Sequence, residues 1–66
     1  MRNHENQRLQ ATIEGVKYMQ KRNFDKYVIL NNLDSGIEKL RVNASNDFIK
    51  CLFDIRQKVI LDKEIK

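Results

Sequence analysis

Apolar positions run along this chain in two rhythms. In residues 5 to 22, Leu9, Ile13 and Val16 recur at four- and three-residue steps, with Thr12 and Met19 beside them, and predict a helix with a narrow apolar stripe. Lys17, Lys21 and Arg22 fall in its last turns, where cations suit the helix C-terminus, and Asn23 is a reasonable stop. Residues 24 to 30, "FDKYVIL", lack that period and are rich in aromatic and β-branched side chains, which favours a strand. "NNLDSG" then reads as a turn, and "IEKLRVN" alternates, with Leu40 and Val42 on one side and Lys39 and Arg41 on the other. The two runs around the turn predict a β-hairpin. Ser35 with Glu38 three residues on would instead start a short helix at Gly36. The glycine in its first turn, Val42 and the brevity of the segment weigh against that.

Residues 46 to 63 give the clearest element. Ser45 suits the N-cap and Asp47 the first turn. Phe48, Leu52, Ile55 and Val59 then form one stripe. The expected fold is thus α+β, a helix–β-hairpin–helix (α-β-β-α) in one domain over 1–66, with 1–4 as a frayed tail. An all-α bundle is the alternative.

The last helix carries a second stripe. Ile49, Phe53 and Ile60 project roughly 120° from the first stripe at 100° per residue. Lys50, Asp54 and Gln57 hold the wet side, and Arg56 lies between the stripes. One stripe can pack on the hairpin; the other needs the first helix, a second copy or a foreign protein.

Size sharpens that question. A 66-residue domain buries only about 60% of the surface its unfolded chain exposes, and such cores usually need a staple. Cys51 is the only cysteine, so no internal disulfide forms. Cys51 and His4 are the only soft ligands, so no metal site or other cofactor is expected. A homodimer is the remaining support. The expected partners are therefore a second copy and an unidentified protein docked on Ile49, Phe53 and Ile60, with Lys50 and Arg56 as the rim. Blocking or recruiting that protein would be the function.

The net charge is +4, with thirteen basic against nine acidic residues, a mild lean towards acidic partners. The one basic cluster, Lys17, Tyr18, Lys21, Arg22 and Lys26, could stack on a base and contact phosphates. With Lys39 and Arg41 as a second surface it forms the rival, nucleic-acid-binding reading. The bland account is a solvated helix end. A helix-turn-helix is set aside because the hairpin interrupts it, and a β-ribbon reader lacks its second following helix.

Catalysis is not expected. Cys51 has no base to activate it, His4 sits in a polar stretch, and no phosphate loop occurs. No apolar run reaches the roughly 18 residues of a membrane span, and a lone thiol fits a reducing compartment, so the expected location is cytoplasmic. Lys, Asn and Ile supply 22 of the 66 residues, which suits an AT-rich genome or mobile element and says nothing physical about function.

Overall fold

The computed structural model describes residues 2–65 as three helices: α1 (Asn3–Lys21), α2 (Lys26–Leu40) and α3 (Asn46–Ile60). They form an up-down-up bundle of about 31 × 19 × 16 Å. Among the described residues there is no strand, so the expected α+β fold and its hairpin are corrected to an all-helical bundle.

The correction has a local cause. The Asp25 carboxylate accepts the Tyr27 amide at 2.8 Å and caps a helix where a strand was expected. From there Ile29, Leu33 and Ile37 recur at four-residue steps and are all buried, with Leu30 and Leu40 packed beside them. The supposed turn formers Asn31, Asn32, Asp34 and Ser35 are simply the solvent face of α2. Ser35 therefore caps nothing, and Gly36 lies inside the helix without a positive φ. Leu40 is partly buried and Val42 stands in the turn at 79% exposure, so they do not share a strand face.

The outer helices follow their local signals. In α3, Phe48, Leu52, Ile55 and Val59 are the buried positions, and the Ser45 hydroxyl accepts the Phe48 amide at 3.3 Å. Both α1 and α3 end in the same way. Asn23 and Asp62 each take φ 58°, and the amides of Phe24 and Lys63 reach back five residues to Met19 and Lys58. Asn and Asp are the non-glycine residues best suited to that left-handed position. Asn3 and His4, expected in the frayed tail, belong to α1; Met1 lies outside the described residues.

The core is one continuous layer in two parts. Val16, Ile29, Leu33, Ile55, Val59 and Ile65 fill one end, and Ile37, Phe48 and Leu52 the other, with Leu9 touching both. Ile65 is held there by Gln20, whose side-chain amide donates to the Lys63 carbonyl and accepts the Ile65 amide, each at 3.0 Å. α2 and α3 pack most closely, and α1 against α2 is the loosest pairing. On that loose side a Cβ added at Gly15 or Gly36 would meet nothing within 4 Å. Gly15→Ala and Gly36→Ala are each expected to raise stability by about 0.5–1 kcal/mol, read as a higher denaturant midpoint.

Candidate functional surfaces

Of the five residues expected to dock a partner, Ile49, Phe53, Arg56 and Ile60 stand on the α2 side of α3, and Lys50 lies round towards α1, lining a depression with Leu9, Ile13 and Cys51. Phe53 is 46% exposed, Lys50 is exposed, and Ile49, Ile60 and Arg56 are half-buried. α2, rather than α1, takes the other half of this stripe. Ile49 packs on the Ile37–Phe48–Leu52 cluster, and the Arg56 guanidinium donates to Asp34 of α2 at 2.7 Å. α1 meets α3 around Cys51 and Ile55, where Leu9 and Ile13 lie. The outer α2–α3 seam thus keeps the Phe53 ring exposed, flanked by half-buried isoleucines and an ion pair, with the 68% exposed Tyr27 of α2 beside Lys26 at its far end.

The seven residues of the nucleic-acid reading do not form one patch. Lys17, Tyr18 and Lys21 share one depression, and the Arg22 guanidinium lies over the Tyr18 ring, 5.1 Å from its centroid. Lys26 turns away: its ammonium donates to the Ile60 carbonyl at 3.3 Å and pairs with Asp62 at 3.4 Å, closing the end of α3. Lys39 and Arg41 are at the far end of α2 and are not on a strand, so the ribbon geometry is gone. No hairpin interrupts a helix-turn-helix here, since α2 runs through a short turn into α3. The exposed face of α3 is nonetheless a poor DNA reader, because Asp47 and Asp54 stand on it and Asp54 holds Lys58 at 3.3 Å.

The fold also assembles a cluster that no local pattern announces. His4 and Arg8 from α1 line a depression of about 220 Å³ with Lys39 and Leu40 from the end of α2 and Asn43 from the turn after it. The Arg2 guanidinium donates to the Asn43 carbonyl at 2.9 Å on the same wall. The carboxylate among them, Glu5, is only 2% exposed and fully engaged. It accepts the Ser45 amide and the Ser45 hydroxyl at 2.8 Å each, and the Arg2 amide at 3.1 Å. These bonds hold its pKa well below the usual 4.5, at about 2. The Ser45 amide contributes most, burial opposes it, and the Arg2 amide, the Ser45 hydroxyl and the Arg2 charge add to the lowering.

Ser45 therefore serves twice, as cap of α3 and as donor to α1. Ser45→Ala is expected to cost about 0.5–2 kcal/mol, the upper half of that range reflecting the second bond, in thermal or denaturant unfolding.

Among the described residues no three His, Cys, Asp or Glu side chains stand close enough to hold a metal ion. Cys51 is a half-buried free thiol. Among the described residues no helix is long and apolar enough to cross a membrane. No protein-family model, no curated protein sequence and no solved structure matches this chain.

Proposed function

We propose that this chain is a small, non-catalytic interaction protein of the cytoplasm that docks on another protein through the outer α2–α3 seam. The observation that carries this reading is Phe53, a large ring left 46% exposed between half-buried Ile49 and Ile60. Burying such a ring fully contributes about 1.5–3 kcal/mol, much of it still unspent in the free chain. Lys50 and Arg56 would form the polar rim, with the Arg56–Asp34 pair fixing the guanidinium in place.

Site-specific photo-cross-linking in cells separates the outcomes. A photoreactive phenylalanine at position 53 should give a defined adduct with a foreign protein, and the same group at Val42 should not. Adducts containing only this chain would make the seam a homodimer interface. No adduct at all would refute the docking role. Phe53→Asp should remove the contact yet cost the free chain less than about 1.5 kcal/mol, because half of the ring is already in water.

A further inference from the structure

A second surface lies on the opposite side of α2, against α1. An apolar groove of about 200 Å³ runs between these helices, with Gly15, Val16 and Met19 on one wall and Leu33, Gly36 and Leu40 on the other. Leu40 also lines the depression that holds His4, Arg8 and Lys39, so that basic cluster adjoins this end of the groove. Arg8 and Lys39 make no salt bridge among the described residues. The one carboxylate beside them, Glu5, already accepts three hydrogen bonds from Ser45 and Arg2.

We propose that this face is the docking groove for an acidic amphipathic helix of a partner protein. Its apolar side chains would enter the α1–α2 groove while its carboxylates meet Arg8 and Lys39. The proposal is independent of the seam around Phe53.

Charge selects the occupant. Two copies of this chain apposed about the Leu40 end of the groove would set Arg8 and Lys39 against their own equivalents, in a chain of net charge +4. A small anion alone would satisfy the cations and leave the apolar trough in water. An acidic helix satisfies both. The open space over Gly15 and Gly36 lets the backbone of such a helix approach closely.

Amide spectra of the whole chain, titrated with two synthetic helix-forming peptides, test this. The peptides share length and leucine spacing; one carries Glu and the other Lys on both flanks of the apolar stripe. The Glu peptide should shift the amides of Gly15, Gly36, Lys39 and Leu40 together, and the Lys peptide should leave them unmoved. Gly36→Leu, which fills the groove, should abolish the shifts without lowering the melting temperature. Arg8→Glu with Lys39→Glu should invert the preference, so that the Lys peptide binds and the Glu peptide does not; this arm stands even if the leucine variant folds poorly.

Equal response to both peptides, or to neither, would overturn the proposal. So would shifts centred on Phe53. Inorganic phosphate or a short DNA duplex moving Arg8 and Lys39 as strongly as the Glu peptide, with the groove amides silent, would replace it by an anion site. Self-association lost in Gly36→Leu would place a second copy there instead.

Discussion

Phe48→Ala is expected to leave the chain largely unfolded at room temperature. Phe48 is the largest of the fully buried side chains, 1% exposed, and it joins Ile37 of α2 to Leu52 of α3 at the less populated end of the core. Truncating a buried phenylalanine costs about 3–5 kcal/mol, the lost transfer energy plus the cavity left behind. A domain of this size has only about 3–10 kcal/mol in total. Each kcal/mol corresponds to roughly 4–8 °C of melting temperature, so the transition should fall far or vanish in far-ultraviolet circular dichroism. Val42→Ala, at a position 79% exposed in the turn before α3, should stay within about 0.5 kcal/mol of the parent. Equal behaviour of the two variants would mean that the α2–α3 end is not packed as described.

The second large effect is loss of stability in acid. Glu5 ties the start of α1 to the start of α3 through Ser45, and its pKa falls from 4.5 to about 2 on folding. The folded state therefore binds fewer protons than the unfolded chain between those values. The stabilisation from ionised Glu5 is full above about pH 4.5 and is lost progressively as pH falls towards 2. Melting temperature measured down that range should drop in the parent. Glu5→Gln should start lower at neutral pH and show a shallower decline, because its amide cannot accept all three donors as a carboxylate does and has no proton to take up. Parallel curves for the two proteins would rule out Glu5 as the acid-sensitive contact. Ser45→Ala should flatten the curve only slightly, because alanine keeps the backbone amide that lowers the Glu5 pKa most and removes the hydroxyl alone.

Elements that carry their own signals were legible in the sequence. α3 has a cap, an acidic first turn and an unbroken stripe, and Ser45, Phe48, Leu52, Ile55 and Val59 occupy the places those signals give them. α1 likewise follows Leu9, Ile13 and Val16 and stops at Asn23, whose side chain tolerates the left-handed turn. Ile29, Leu33 and Ile37 held a helical period as well, but it was crossed by β-branched neighbours and by a run of Asn, Asp, Ser and Gly. Propensity there favoured strand and turn; burial of one face against α3 outweighed it, because a kcal/mol or more per buried side chain exceeds a few tenths per residue of local preference.

Local pattern alone set two helices, the Ser45 cap of α3 and the surplus of apolar residues on α3. It could not determine where Ile65 would settle, that Glu5 would meet Ser45, or that Arg8 would stand beside Lys39 next to one end of an apolar groove. Those pairings join residues far apart in the chain. Only the antiparallel packing of α1 on α2, and the parallel placement of α1 beside α3, brings them together. Local pattern fixes which face of a helix is apolar; the crossing of three such faces decides which ends meet, and so where charge gathers.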